Sequence, residues 1–253
     1  MYKNVLFYSF TPIPDPIGFR DDQRIFTKEL GLKGKILVSE EGINGNVSGP
    51  AEATEKYVAF LQETFPGIDC KIGQTQEHNF SKMIVRYRKE IVTFGVPVSL
   101  ENKAPYIEPE ELKALLDSGE KLVLLDARNE YEASLGTFSG AIVPDTLRFK
   151  EFPRFVDEQL SVDKDAPIVT FCTGGIRCEK ASAYLREKGF TNVRQLHGGI
   201  IRYGEVVGAD HWEGKCFVYD ERLALDMSAI SEVHNNQENT CSVNPVYFKK
   251  HVS

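Results

Sequence analysis

The segment from residue 168 to residue 188 constrains the fold more than any other part of the sequence. It opens with a short apolar and β-branched run that ends at Phe171 and predicts a buried strand. Cys172 follows this strand, residues 173–177 form a tight turn with two glycines, and residues 178–188 have the composition of a helix. This order predicts one unit of an α/β parallel sheet, with Cys172 at the carboxyl end of its strand.

The position of Cys172 predicts a reactive thiol. In such a turn the loop N–H groups and the positive end of the helix dipole face the sulfur, and Arg177 adds a further positive charge. This environment lowers a cysteine pKa from about 8.5 toward about 3.5–7.5, so the thiolate forms at neutral pH. The alternative is an ordinary buried cysteine. We favour the reactive thiol because a structural cysteine requires neither a Gly-Gly turn nor an adjacent arginine.

The length of the loop indicates which chemical group the cysteine handles. Four residues separate the predicted nucleophile from the arginine: Thr173, Gly174, Gly175 and Ile176. Phosphatases that use a cysteine have one more residue here, which makes a cradle wide enough for a tetrahedral phosphate. The shorter loop fits a terminal sulfur better. The residues alone therefore support a thiolate that accepts a sulfane sulfur, with the loop amides and Arg177 stabilising the perthiolate.

The run C-T-G-G-I-R resembles the C-x-x-G-x-R active loop of rhodanese domains, whose cysteine carries a persulfide. The longer run C-T-G-G-I-R-C-E-K-A-S resembles the rhodanese-like tRNA uridine hydroxylases, and this resemblance extends over about residues 2–225. It implies oxygen-dependent 5-hydroxylation of uridine 34, the wobble position, with molecular oxygen as co-substrate and the tRNA anticodon arm as partner. Asp126 and Arg128 match the rhodanese D-x-R element, which implies a supporting role. The sequence contains no flavin, dinucleotide or iron motif, so it indicates no further cofactor.

Cys178 is the second candidate catalytic thiol, because it follows Arg177 directly. At the start of the predicted helix it lies close enough to Cys172 to resolve a persulfide or to form a redox pair. A small residue that packs the helix is an equally good interpretation. The resemblance to the extended family motif also makes Cys178 a candidate for the essential thiol.

Residues 1–95 follow the order β-α-β-β-α-β, which is typical of a ferredoxin-like fold. Period-2 alternation in the strand near residue 85 places cations on one sheet face. The candidate RNA-binding residues at this strand are Lys82, Arg86, Arg88 and Lys89. A row of cations is equally typical of a solvated strand face. The family resemblance favours contacts with tRNA phosphates.

The sequence predicts two domains and a tail. We expect the end of the tail, residues 227–253, to be partly disordered because it is strongly polar. The lone Cys241 in this stretch does not make a metal site. The predicted segments are a ferredoxin-like (acylphosphatase-like) α+β sandwich over 1–95, a linker over 96–109, a rhodanese-type parallel-sheet α/β domain over 110–212 and a C-terminal extension over 213–253.

The formal net charge of −7 is distributed unevenly along the chain. The first hundred residues contain twelve Lys and Arg against twelve Asp and Glu, so all the excess acid lies further on. Net charge therefore does not exclude an RNA partner. The five cysteines are irregularly spaced and no apolar run is long enough for a signal peptide or a membrane span. We therefore expect a cytoplasmic protein without a membrane partner.

Two other functions remain open at the level of sequence. The first is a sulfurtransferase that carries a cysteine persulfide and takes its sulfur from a donor. The second is a binding module in which the rhodanese fold only recognises a partner. The intact Cys172 disfavours the binding module, because inactive rhodanese modules have usually lost this cysteine. The sequence defines neither the oligomeric state nor the source of electrons for a hydroxylation.

Overall fold

The computed structural model describes residues 1–232, which divide into two units. The first unit contains residues 1–92 and 219–222, and the second contains residues 93–218 and 223–232. Each unit has its own cluster of buried apolar side chains. In this described part of the chain, no helix is both long enough and apolar enough to cross a bilayer.

The first unit is a five-stranded sheet with two helices. The strands follow the spatial order β4-β1-β3-β2-β5, and all neighbours are antiparallel except β2 and β5. The first four strands and two helices confirm the predicted ferredoxin-like fold, to which β5 adds a parallel edge strand. The elements are β1 (Tyr2–Ser9), α1 (Pro16–Glu29), β2 (Lys33–Ser39), β3 (Gly42–Pro50), α2 (Ala51–Thr64), β4 (Asp69–Thr75) and β5 (Met83–Tyr87).

The core of the first unit lies between the sheet and its helices. Val5 and Phe7 are fully buried, whereas Leu6 between them and Tyr8 after them are only half-buried, so one face of β1 points into the core. Tyr57 of α2 packs edge-on against Phe7 at a centroid distance of 5.8 Å. The Asp15 carboxylate accepts a hydrogen bond from the amide of Gly18 and thereby caps α1. The buried face of β1 thus packs against the helices, and the cap fixes the residue at which α1 begins.

The second unit alternates strands and helices around a parallel sheet. This sheet has the order β6-β10-β9-β7, and β8, β11 and β12 form a small antiparallel sheet. The parallel sheet confirms the predicted rhodanese-type α/β domain. The elements are β6 (Tyr106–Ile107), α3 (Pro109–Asp117), β7 (Val123–Asp126), α4 (Glu130–Ala133), β8 (Gly136–Phe138), α5 (Phe152–Glu158), β9 (Ile168–Phe171), α6 (Ile176–Glu187), β10 (Val193–Leu196), α7 (Gly199–Val206), β11 (Trp212–Phe217), β12 (Ala224–Asp226) and α8 (Met227–Glu232).

An aromatic cluster links the two sheets of the second unit. Phe138 on β8 makes edge-to-face contacts with Phe171, Tyr203 and Trp212, at centroid distances of 4.9, 4.8 and 5.2 Å. Edge-to-face pairs at this spacing are the favoured arrangement of aromatic rings. The cluster fixes the end of β9, directly before Cys172.

The segments predicted as linker and extension contain regular structure. Residues 96–109, predicted as a linker, contribute β6, which pairs with β10 in parallel. The extension predicted from residue 213 contributes most of β11 together with β12 and α8. Met227 and Ile230 of α8 belong to the core of the second unit, so residues 227–232 are ordered by packing. The remainder of the predicted disordered stretch, with Cys241, lies outside the described residues.

Candidate active site

The predicted thiol loop lies at the carboxyl end of β9. The strand ends at Phe171, Cys172 follows, and α6 begins at Ile176, so the predicted strand, loop and helix are all present. The helix begins two residues earlier than the sequence indicates, which places Arg177 and Cys178 together in its first turn. Gly175 precedes the helix with φ of 98°, a backbone conformation that favours glycine. The second glycine of the turn is therefore required by the reversal of the chain.

The loop directs hydrogen-bond donors at the sulfur of Cys172. The amide of Gly175 donates to Sγ at 3.2 Å, and the amides of Arg177 and Cys178 donate to it as well. The thiol of Cys178 provides a further hydrogen bond to the same atom. These donors converge on a cysteine that is only 1% exposed.

The electrostatic result is a stabilised thiolate. Burial alone raises the pKa of Cys172, but the hydrogen bond from the Cys178 thiol, the charge of Arg177 and two backbone amides outweigh burial and lower the pKa to about 6. At pH 7 most Cys172 side chains are therefore ionised. The thiolate is the nucleophilic form of cysteine, so the geometry agrees with the reactive thiol expected from the sequence.

The partner thiol has the opposite behaviour. Burial raises the pKa of Cys178 far above its usual value, and the adjacent Cys172 sulfur raises it further. Cys178 therefore keeps its proton and acts as the donor in the pair. Both cysteines are free rather than joined in a disulfide.

Arg177 is held by a carboxylate that we did not include among the predicted site residues. Its guanidinium forms two hydrogen bonds with Glu132 of α4, at 2.6 and 3.1 Å, and both side chains are buried. Glu132 also accepts from the amide of Asn129 at 2.8 Å, which fixes the carboxylate at the start of its helix. Arg177 was expected to stabilise a perthiolate directly. In the structure the two terminal nitrogens of its guanidinium bind Glu132, and its positive charge still lowers the pKa of Cys172.

The predicted supporting pair, Asp126 and Arg128, links β7 to β8. Both side chains are almost completely buried, with Arg128 Nη2 at 2.6 Å from an Asp126 oxygen. Arg128 also donates to the carbonyl of Gly136 at 2.7 Å and lies over the Trp212 ring. Thr137, at a position where rhodaneses commonly have histidine, donates to Asp126 at 2.9 Å. These contacts fix the end of β7 beside the strand that carries the cysteine.

A second glycine turn, at Gly198 and Gly199, supports the loop. The amides of Ile200 and Ile201 in α7 donate to the carbonyls of Cys172 and Thr173, at 2.9 and 3.1 Å. Gly199 packs so closely that an added Cβ would lie 2.4 Å from the Cys172 carbonyl oxygen. The only sequence signal for this contact is the Gly-Gly pair that follows His197 after β10.

His197, at the start of this turn, contacts the segment around β6. Its Nδ1 lies 2.7 Å from a carboxylate oxygen of Glu108. Its ring also packs against Tyr106 at a centroid distance of 4.7 Å. The histidine therefore joins β10 to the segment around β6.

The four candidate RNA-binding residues lie in the first unit, in and just beyond β5. Lys82, Arg86, Arg88 and Lys89 are all exposed, while Val85 between them is buried. In the parallel pair with β2, Lys35 lies beside Ile84 and is also exposed. The structure thus adds a fifth cation to this sheet edge. We had not selected Lys35, because only the strand register brings it there.

The E-G-I-N-G turn between β2 and β3 fixes the chain that follows β5. Glu41 accepts a hydrogen bond from the amide of Ile91 at 2.7 Å, and Asn44 donates to its carbonyl at 2.9 Å. Gly42 approaches the Ser9 carbonyl so closely that any side chain would overlap it. These contacts give the turn a structural role in the first unit.

Comparisons with known proteins agree with this architecture. The family model of the UPF0176 acylphosphatase like domain matches residues 2–91, and that of the rhodanese-like domain matches residues 108–205. A tRNA uridine(34) hydroxylase of Streptococcus thermophilus is 43% identical over 243 residues, which cover 90% of this chain and 73% of the relative.

Two further relatives have the same name. The Enterococcus faecalis protein is 44% identical over 239 residues, and the Staphylococcus saprophyticus protein is 43% identical over 238 residues. Each match covers 91% of this chain and 75% of the relative. At this identity and coverage, the chain belongs to the tRNA uridine(34) hydroxylase family.

Proposed function

We infer that this protein hydroxylates uridine 34 of tRNA, the reaction for which its relatives are named. We propose that the reaction takes place at C5 of the base, consumes molecular oxygen and depends on the Cys172 thiolate. The observation that carries the proposal is the convergence of amide and thiol donors on the buried Cys172 sulfur. A group prepared in this way serves as a nucleophile at neutral pH.

The test is mass spectrometry of nucleosides from tRNA incubated with the protein in air. We expect wild-type protein to add one oxygen atom to uridine 34 and the Cys172→Ser variant to add none. Cys216→Ser is the matched control, since Cys216 is equally buried and its thiol donates to the Phe217 carbonyl, as a serine hydroxyl can. Burial raises the pKa of Cys216 to about 12, so this thiol stays neutral and its loss should leave the reaction unchanged. Hydroxylation by the Cys172→Ser variant would contradict the role of this residue.

A second candidate function is sulfur transfer through a persulfide on Cys172. The observation in its favour is the small loop with amides directed at one sulfur, which suits a terminal sulfur atom. This function requires a sulfur donor, such as thiosulfate or a protein persulfide. Rapid transfer of sulfur from thiosulfate to cyanide, together with unmodified tRNA in the oxygen assay, would favour it over hydroxylation.

We propose that the first unit binds the anticodon arm through the exposed cations in and near β5. Arg86 lies on the edge strand β5, Lys82, Arg88 and Lys89 lie just beyond its ends, and Lys35 extends the row onto β2. Rows of exposed Lys and Arg side chains bind nucleic acids by neutralising the phosphates of the backbone. Bases of a single-stranded anticodon loop can be splayed out for reaction. A tRNA substrate is consistent with a cytoplasmic location.

A further inference from the structure

The two cysteines of the active loop are the only pair of thiols in contact among the described residues. We propose that Cys172 and Cys178 supply the two electrons of the hydroxylation and close to a disulfide in each turnover. This inference rests on the proposed function and identifies its source of electrons.

The geometry makes a disulfide between these residues accessible. Cys172 follows the last residue of β9, and Cys178 lies in the first turn of α6, with only the tight loop between them. The Cys178 thiol already donates a hydrogen bond to the Cys172 sulfur, so the sulfurs face each other. A disulfide requires a bond of about 2.05 Å between the two sulfurs, and the hydrogen bond between the thiols already places these sulfurs next to each other.

The pair is chemically asymmetric in the way that a dithiol reductant requires. Cys172 is the thiolate and Cys178 retains its proton, so one sulfur provides the nucleophile and the other carries a proton beside it. The other two cysteines of the described residues differ from this pattern. Burial raises the pKa values of Cys70 and of Cys216 to about 12, so both remain neutral thiols.

The electron balance closes with this pair and molecular oxygen. Hydroxylation breaks the C5–H bond of uridine and the O–O bond of oxygen, and it forms a C5–O–H group and one water. Oxygen takes up four electrons, of which the uridine C–H bond provides two and the dithiol provides two by forming the S–S bond. The Cys178 proton and one proton from solvent complete the water. An external dithiol reductant then returns the disulfide to two thiols, so that a second turnover can begin.

A single-turnover experiment tests the inference. Fully reduced wild-type protein is freed of reductant and mixed with excess tRNA in aerated buffer. We expect hydroxylated uridine to stop at about one per protein, with a Cys172–Cys178 disulfide formed in equal amount and detected as a cross-linked peptide. Addition of dithiothreitol should restart the reaction and restore both thiols.

The decisive variant is Cys178→Ser. A serine hydroxyl keeps a hydrogen-bond donor beside the Cys172 sulfur but cannot form a disulfide, so it separates electron supply from thiolate stabilisation. We expect its yield of hydroxylated uridine to fall below about one-tenth of the wild-type yield, while ultraviolet titration still shows a Cys172 thiolate at pH 7. Cys216→Ser should behave as wild type.

Four results would overturn the inference. Hydroxylation by Cys178→Ser at the wild-type yield would show that electrons come from elsewhere. Many turnovers of wild-type protein without reductant, or modified uridine without matching disulfide, would do the same while leaving the proposed function intact. Failure of wild-type protein to hydroxylate tRNA even with dithiothreitol present would instead overturn the proposed function, and the electron source with it.

Discussion

Cys172 and Cys178 are the same chemical group under the same burial, yet their surroundings move their pKa values in opposite directions. Burial raises both values, but Cys172 receives hydrogen bonds from the Cys178 thiol and from loop amides and lies near the charge of Arg177. Cys178 instead faces the sulfur that has taken the negative charge. Cys178 therefore holds the one proton of the pair and Cys172 carries the negative charge, because the loop amides donate to the Cys172 sulfur.

This asymmetry predicts the pH dependence of the thiolate. The ultraviolet absorbance of thiolate should rise through a midpoint near pH 6, because the pKa of Cys172 is lowered to about 6. In Cys178→Ala the loss of the donating thiol removes stabilisation of the thiolate, so the midpoint should move to higher pH. Cys172→Ala provides the control, since it should lack the step near pH 6. A wild-type midpoint near the ordinary value of about 8.5 would contradict the interpretation of the loop.

The buried pair between Glu132 and Arg177 gives a prediction with two readouts. Glu132→Gln leaves a buried guanidinium without its anionic partner, which should destabilise the protein by about 3–5 kcal/mol in urea unfolding. The same change removes the carboxylate that neutralises Arg177. The positive charge of Arg177 then acts on Cys172 without compensation, so the pKa of Cys172 should fall and the thiolate midpoint should move to lower pH.

The matched control is the pair between Glu111 and Arg194, in which the Glu111 side chain is 54% exposed. Glu111→Gln should cost no more than about 1 kcal/mol, because solvent screens an exposed ion pair. Equal destabilisation by the two substitutions would show that Glu132 has no special role in holding Arg177.

At the scale of elements, β9, the thiol loop and α6 could be predicted from sequence because their signals are local. An apolar β-branched run, a glycine turn and a helical composition follow one another without interruption. Contacts between distant segments carry no such local signal. The pairing of β6 with β10, the binding of Glu132 to Arg177 and the support of the loop by α7 all join residues far apart in sequence.

The contact between α7 and the loop predicts the effect of Gly199→Ala. Gly199 has φ of +69°, and an added Cβ would lie 2.4 Å from the carbonyl oxygen of Cys172. The clash must displace the loop backbone, so we expect lower stability, a thiolate midpoint shifted upward and reduced hydroxylation. Gly189→Ala is the control, because Gly189 has φ of +86° with open space around it, and its cost should be limited to about 1–2 kcal/mol of backbone strain. A normal thiolate midpoint in Gly199→Ala would contradict the role of α7.

At the scale of the whole molecule, the chain combines two units with separate cores and different chemistry. The first unit has a mostly antiparallel sheet whose parallel edge strand is cationic, and the second has a parallel sheet with a thiolate loop. The excess of acidic residues lies after residue 100, so residues 1–100, which include the cationic edge, have no net charge to repel a polyanion. Because the cationic edge and the thiolate loop lie in different units, we expect that substitutions can change tRNA affinity and thiol chemistry independently.

The charge of the first unit provides the test of that independence. The double substitution Arg86→Gln and Arg88→Gln removes two exposed cations from the β5 edge, so it should weaken binding of tRNA and reduce the slope of log affinity against log salt by about 1 per lost phosphate contact. The difference from wild type should be largest at low salt and shrink as salt rises, because counterion release drives these contacts. The thiolate midpoint near pH 6 should not change, since Cys172 is stabilised within the second unit.

A matched control removes two exposed cations from the second unit by Lys121→Gln and Arg154→Gln. The net charge falls equally in both double variants, so a purely non-specific attraction would weaken both to the same extent. We expect the control to retain nearly wild-type affinity in filter-binding assays. Equal weakening of tRNA binding by the two double variants would show that tRNA does not contact the β5 edge. The conclusions about the thiolate loop do not depend on that outcome.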